Sequence, residues 1–205
     1  MRDVEQVWGI PRTVMNSEIG QFQGFLSSDA DLAESCRLLE PYGSFRDRPS
    51  AEEDSEWKQV IPYVCILHGD QVLVLQRLKT QGEKRLHGKR SIGVGGHINP
   101  ESPGDDPLLF RGLRRELSEE IGLSPEIQDC QFLGWINDDE TAVGQVHLGM
   151  AVAVRVSERP KIVETDRMVG DWLSYQELNA ADEQWESWSS LLVEQLQQRS
   201  LAADL

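Results

Sequence analysis

The stretch from Phe110 to Leu123 is the part of this chain that most restricts its fold. Phe110, Leu113, Leu117 and Ile121 recur every three or four residues, the spacing that sets side chains on one side of an α-helix. Beside that apolar stripe runs another, Glu116, Glu119 and Glu120. A helix over about Asp106 to Ile121 with these two stripes must bury one against other elements and leave the other at a rim or cleft. Gly122 suits the left-handed position that ends such a helix. The three glutamates repel one another, since like charges four residues apart cost about 0.2–0.5 kcal/mol per pair. One reading is a solvated acidic face. The other is a site for a hard divalent cation, Mg²⁺ or Mn²⁺, which takes oxygen ligands and removes the conflict. Ahead of the helix, Ser91-Ile92-Gly93-Val94-Gly95-Gly96-His97-Ile98 is a glycine-rich strand end whose backbone can approach the same cation.

Strand patterns surround this helix. Val60 to Leu67 and Val72 to Leu75 flank the turn His68-Gly69-Asp70 as a hairpin; Ser91 to Val94, Phe132 to Asn137 and Val146 to Val156 supply further strands. The chain divides near Trp57. Residues 1–56 read as an N-terminal extension, with a strand over Val7 to Met15 broken at Pro11, a helix over Asp29 to Leu39 capped by Asp29, and loop from Ser50 to Glu56. No chemistry is evident there, and the extension is expected to pack on one edge or to build a homodimer surface. Residues 57–205 form the main domain, closing with a helix over Ala181 to Arg199 whose Trp185, Trp188, Leu192 and Leu196 read as core packing. Periodicity alone implies an α/β chain with helices on a mixed sheet.

Charge narrows the function. With 20 Lys and Arg against 35 Asp and Glu, the net charge is −15, which disfavours duplex nucleic acid as a partner. No apolar run approaches the length that spans a bilayer, and the N-terminus lacks a signal-peptide pattern. Three cysteines form neither a disulfide framework nor a zinc knuckle, so a reducing cytoplasm is expected.

Gly95-Gly96, followed by Arg115-Glu116-Leu117-Ser118-Glu119-Glu120-Ile121-Gly122-Leu123, resembles the Nudix hydrolase signature, G-x5-E-x7-R-E-U-x-E-E-x-G-U with U apolar. The second half agrees at every specified position. The first half departs: from Gly96 to Arg115 the chain runs nineteen positions where the signature has fourteen, so the loop is five residues longer. Pro107 stands where the signature's first Glu would, and Glu101, Asp105 and Asp106 are the acids near enough to replace it. The glycine-rich stretch and Val143 to Gly149 also resemble a bacterial branch of Nudix proteins described as phosphoesterases.

The resemblance implies a Nudix-type α/β/α sandwich with a mixed β-sheet. It implies Glu119 and Glu120 as metal ligands with the Gly95 carbonyl as a third, and Glu116 as ligand of a second metal or as the base that activates water. Arg115 would orient the carboxylates, so Glu116, Arg115 and Glu120 form the expected catalytic set. Such a site suits hydrolysis of a phosphoanhydride in a nucleoside-diphosphate-linked or related diphosphate compound. The basic segment holding Arg77, Lys79, Lys84, Arg85 and Arg90 offers candidates for substrate phosphates, or else a salt-bridged loop. His97 and His147 are further substrate-binding candidates, though a core histidine is the commoner fate of such residues. Asp138, Asp139 and Glu140 read either as an acidic turn or as a further ligand or base. Glu164 and Asp166 resemble the acid that precedes the closing Trp-Leu turn of many Nudix domains. Two other functions share the fold: a non-catalytic, nucleotide-sensing domain, and a diphosphate isomerase, which would need a cysteine acid where Cys65 reads as core.

Overall fold

The computed structural model describes residues 4–77, 89–101, 103–163, 168–182 and 184–203. Its centre is β4 (Trp57–His68), twelve residues of which eleven are buried. Such a strand has no solvent face and must be covered on both sides. β9 (His147–Arg155) runs parallel to β4 along one edge, with Gln59 beside His147 and Leu67 beside Arg155. Three antiparallel strands share the other edge in turn: β1 (Gln6–Pro11), β7 (Val94–Gly95) and β5 (Gln71–Arg77). β8 (Cys130–Asn137) extends the sheet beyond β9, and β10 (Met168–Ser174) extends it beyond β5. The sheet is mixed, as expected.

Alternation along β4 and β9 sorts the core into two layers. Val60, Val64 and Ile66 of β4, with Leu148, Met150, Val152 and Val154 of β9, meet α4 (Leu108–Ile121) and α2 (Leu32–Leu39). Tyr63, Cys65 and Leu67, with Ala151 and Ala153, face α6 (Ser187–Ala203). The small residues of β9 admit α6 closely. Phe110, Leu113, Leu117 and Ile121 of α4 are all buried, each contributing about 1.5–3 kcal/mol. The helix stops as its sequence requires: Gly122 lies at φ 65°, a left-handed value that side chains with a Cβ avoid.

The helix boundaries differ from expectation for local reasons. Asp31, not Asp29, caps α2 by accepting from Glu34 N at 3.0 Å, because it is the residue that immediately precedes the first turn. α4 begins at Leu108 rather than Asp106, after Pro107, and the Glu40 carboxylate accepts from Leu108 N at 2.5 Å. α6 begins at Ser187 because Asn179 and Asp182 turn the chain first, accepting from Ala181 N and Gln184 N. Trp185 is therefore buried ahead of the helix, its indole N–H donating to Asn179 O.

Residues 4–56 hold more regular structure than their sequence suggested. Pro11 ends β1 and opens α1 (Arg12–Glu18), an allowed place for a residue without an N–H. β2 (Gly24–Ser27) pairs with β8 at the sheet's far edge, β3 (Ser44–Asp47) pairs with β1, and α3 (Arg48–Ala51) replaces part of the expected loop. Trp8, Ile10, Met15, Leu32, Cys36 and Leu39 enter the same core layer as α4. Two further short segments are β6 (Arg90–Ser91) against β5 and α5 (Ala142–Gln145) ahead of β9. Among the described residues no helix is long and apolar enough to cross a membrane.

Candidate active site

Arg115 is the hub of the site. Its Nε donates to Glu101 Oε1 at 2.7 Å, and its Nη2 to His97 O at 2.9 Å and Asn99 Oδ1 at 3.1 Å. Its Nη1 reaches Glu116 Oε1 at 2.7 Å and Glu119 Oε2 at 3.1 Å. One guanidinium thus ties the strand end after β7 to the outward face of α4. Burial opposes its charge, but the hydrogen bonds to Glu101 and Glu116 and their fields outweigh that and hold its pKa above the ordinary value.

Glu101 was among three acids that the sequence left open as the brace, and the structure selects it. Counted from Gly95 instead of Gly96, G-x5-E ends at Glu101, and the additional residues then fall between Glu101 and Arg115, fourteen positions where the signature has eight. Asp106 instead pairs with Arg114 at 3.3 Å. Asn99 also went unseen. It receives Arg115 and donates to Gln6 O at 2.9 Å, linking the hub to β1.

Glu116 is far more enclosed than Glu119, its side chain 15% exposed against 58%. Burial raises its pKa above the usual carboxylate value despite Arg115. A Cβ built on Gly96 would lie 2.4 Å from Glu116 Cδ, 2.5 Å from Oε2 and 2.6 Å from Oε1, so the Glu116 carboxylate packs where a side chain at 96 would stand, and glycine is what admits it. Gly95 pairs with Tyr63 in the β4–β7 ladder, and a Cβ there would meet Pro62 O at 2.2 Å. Glu120 is half-buried, and its carbonyl accepts from Val163 N at 2.9 Å. Among the described residues no three His, Cys, Asp or Glu side chains are grouped so as to hold a metal ion by themselves. Arg115 instead takes one oxygen each from Glu116 and Glu119, the spacing that like-charge repulsion favours. The donor set still fits a hard divalent cation, being carboxylate oxygen on adjoining turns of one helix.

Gly96→Ala is expected to push the Glu116 carboxylate aside at little cost in stability, because the crowded atoms end a flexible side chain. Turnover should fall about 100-fold, the usual effect of an ångström's misplacement, with the melting temperature nearly unchanged. Paired kcat and thermal measurements check this.

The other candidates disperse. His97 Nε2 and His147 Nε2 lie 3.3 Å apart, and His147 Nδ1 is 2.7 Å from Val143 O. With Nδ1–H donating to that carbonyl, His147 Nε2 accepts from His97 Nε2–H, so the two rings satisfy each other. Burial, assisted by Arg48 and His147, pushes His97 down to about 3, and both rings stay neutral at pH 7. Arg90 lies 3.6 Å from Asp182 with its guanidinium over the Trp185 ring, fastening the chain ahead of α6 to the sheet. Lys79, Lys84, Arg85, Glu164 and Asp166 lie outside the described residues, as does the side chain of Arg77. Asp139 turns toward the interior. It receives Arg12 at 2.8 and 3.0 Å, Lys58 Nζ at 2.7 Å and Asn137 Nδ2 at 3.0 Å. Neighbouring Asp138 is 6% exposed and receives Gln23 and Thr141.

Residues 57–196 match the NUDIX domain family. The chain belongs to the Nudix superfamily. Protein YmaB of Bacillus subtilis (strain 168) is 36% identical over 201 residues, spanning 94% of this chain and 98% of its own. Among solved structures, Tm1382, described as belonging to the Nudix hydrolases, is 32% identical with a TM-score of 0.78, covering 95% of this chain and 99% of that one. The MutT NUDIX hydrolase from Burkholderia pseudomallei shares the fold at 20% identity and a TM-score of 0.51, over 66% of this chain and 95% of its own. This Nudix protein is therefore a Nudix-type pyrophosphohydrolase, of a family that generally uses divalent metals and acts on small-molecule diphosphates.

Proposed function

We propose that this chain is a Mg²⁺- or Mn²⁺-dependent hydrolase of a nucleoside-diphosphate-linked or related diphosphate compound, acting in the cytoplasm. The observation that carries the reading is the Glu116 carboxylate held between Arg115 and the backbone at Gly96. Glu116, Glu119 and Glu120, with the Gly95 carbonyl, would hold the cation. When bound it supplies charge neutralisation of the diphosphate and a more acidic water. Glu116 Oε2, the oxygen not paired with Arg115, takes the water's proton as the water oxygen bonds to phosphorus and the bridging P–O bond breaks. Arg115 keeps Glu116 Oε1 fixed, so Oε2 remains the basic atom. Residues 57–205 carry this chemistry, and residues 1–56 serve as an extension that braces it through Gln6, whose carbonyl accepts from Asn99, and Glu40, which accepts from Leu108 N.

The test is a screen of diphosphate compounds with Mg²⁺ or Mn²⁺, reading phosphate release and product identity. Metal-dependent cleavage at an anhydride is the expected result. A nucleotide that raises the melting temperature while no compound in the panel is cleaved would replace this reading with nucleotide sensing.

A further inference from the structure

Between Ser91 and Val94 the chain crosses from one strand of the sheet to another. Ser91 of β6 pairs with Leu75 of β5, whereas Val94 and Gly95 of β7 pair with Val64 and Tyr63 of β4. Ile92 and Gly93 make the crossing and belong to neither ladder, so their buried amides need other acceptors. Hydroxyl oxygens supply them. Ser189 Oγ of α6 accepts from Ile92 N at 3.1 Å; Ser91 Oγ accepts from Gly93 N at 3.2 Å and donates to Gly93 O at 2.8 Å. Tyr63 Oη stands between the two serines, 2.9 Å from Ser91 Oγ and 2.6 Å from Ser189 Oγ. Because Ser91 gives its proton to Gly93 O, Tyr63 donates to Ser91 and Ser189 donates to Tyr63, which commits every hydroxyl proton. All three residues are buried, in a layer otherwise built from Cys65, Leu67, Ile92 and Leu192. Apolar side chains would fill that layer without the cost of burying hydroxyls, so the hydroxyls are there for the backbone they hold. The residues ahead of α6 grip the start of the crossing as well: Arg90 N donates to Gln184 O at 2.7 Å, and Glu186 N donates to Arg90 O at 3.0 Å. A Cβ at Gly93 would lie 2.2 Å from Tyr63 Cζ, so the crossing rests directly on the Tyr63 ring, which Trp188 of α6 meets edge to face at 5.6 Å.

We propose that Tyr63, Ser91 and Ser189 are positioning residues for the hydrolase site: by fixing the crossing they set the strand end Gly95-Gly96-His97 against α4. The inference rests on the proposed function, in which that strand end and the glutamates of α4 together hold the cation. Two contacts carry the placement across. The Glu116 carboxylate packs against Gly96, and His97 O accepts from Arg115 Nη2 at 2.9 Å. The ladder of β7 is only two residues long, too short to fix the strand end without the crossing behind it. α6 lies in the core layer opposite α4, yet the Ser189 hydroxyl reaches the site by this route.

Amide hydrogen exchange in the metal-free protein, and Mn²⁺ affinity read by electron paramagnetic resonance, test the proposal in Tyr63→Phe and Ser189→Ala. Tyr63→Phe keeps the ring against Gly93 and removes only the link between the serines. Ser189→Ala removes the acceptor of Ile92 N. Leu196→Ala, at a buried position about two turns further along α6, is the control that loosens the helix without touching these hydrogen bonds. Exchange at residues 93–97 should quicken about 10-fold in both hydroxyl variants, and Mn²⁺ should bind about 10-fold more weakly. Leu196→Ala should lower the melting temperature and change neither. Exchange at these amides unchanged in both folded variants, or changed as much by Leu196→Ala, would overturn the positioning role; so would Mn²⁺ affinity in both variants equal to a measurable wild-type affinity. Wild-type protein that takes up no Mn²⁺ would overturn the cation site instead, and the exchange comparison then decides alone whether the hydroxyls hold the strand end. The two failures are thereby told apart.

Discussion

Glu116→Gln is expected to lower turnover about 1000-fold, a barrier increase of about 4 kcal/mol, while the melting temperature holds or rises. The two halves of this expectation have one cause. Glu116 is largely enclosed, and burial raises its pKa, so the fold holds its charged form at a disadvantage that Arg115 only partly offsets. Glutamine fills nearly the same volume and removes that disadvantage, while Arg115 keeps Glu101 and Glu119 as partners. What glutamine lacks is a basic oxygen beside Gly96 and a full negative charge for a cation. Glu119→Gln and Glu120→Gln should also abolish turnover in folded protein, by removing charge from the proposed metal set. The pH profile separates the roles, since loss of the general base removes the acidic limb of kcat, whereas loss of a ligand alone lowers metal affinity and leaves that limb in place. Near wild-type kcat in Glu116→Gln would remove Glu116 from the mechanism.

What could be read from the sequence follows how locally each feature is determined. α4 was legible because its burial stripe, its carboxylates and its Gly122 stop all lie within fifteen residues and obey one period. The long strands were legible because β4 and β9 are buried on both faces and so are apolar nearly throughout. β2 and β3 were not, since four-residue edge strands take their order from partners far away, Phe25 from Ile136 for example, and their own residues are half exposed. Glu101 was hidden by a choice of origin. Two consecutive glycines allow two counts, and only the one from Gly95 lands on an acid. The expected reach of His97 and His147 toward substrate rested on residue type alone, and pairing of the two rings across fifty residues has no local signature. The same holds for the charges inside the molecule. Lys58 reads as one polar position in an apolar strand until Asp139, eighty-one residues later, is brought to its ammonium.

That interior pair yields the largest expected effect on stability. Asp139→Ala should destabilise the protein by about 3 kcal/mol, the low end for breaking a buried ion pair because the Asp139 side chain is 36% exposed. For a chain of this size that corresponds to a fall of about 6–12 °C in melting temperature. The reason lies with Lys58, whose side chain is 0% exposed and which would keep only the Gly144 carbonyl, at 2.7 Å, among its hydrogen-bond acceptors in the described residues. Arg12 would lose its bidentate partner as well. Adding Lys58→Met to Asp139→Ala should recover part of the loss, since a side chain of similar length without charge needs no partner. The pH dependence gives an independent check. Burial alone would raise the Asp139 pKa, but hydrogen bonds from Arg12, Lys58 and Asn137 outweigh it and hold the carboxyl well below the ordinary carboxylate range. A lowered acid contributes its full stability above the unfolded pKa of about 3.9 and loses it as pH falls toward the folded value. The gap between wild type and Asp139→Ala should thus stay constant from pH 7 to about 5 and narrow below about 4. Lys58 has the opposite chemistry: burial lowers its pKa, so the unfolded chain binds its proton more readily and stability rises with pH. Without Asp139 that term grows, and the variant should regain stability between pH 7 and about 10 while wild type changes less. Urea unfolding across both windows measures the two slopes, and a gap unchanged at every pH would mean that Asp139 holds the core by packing rather than by charge.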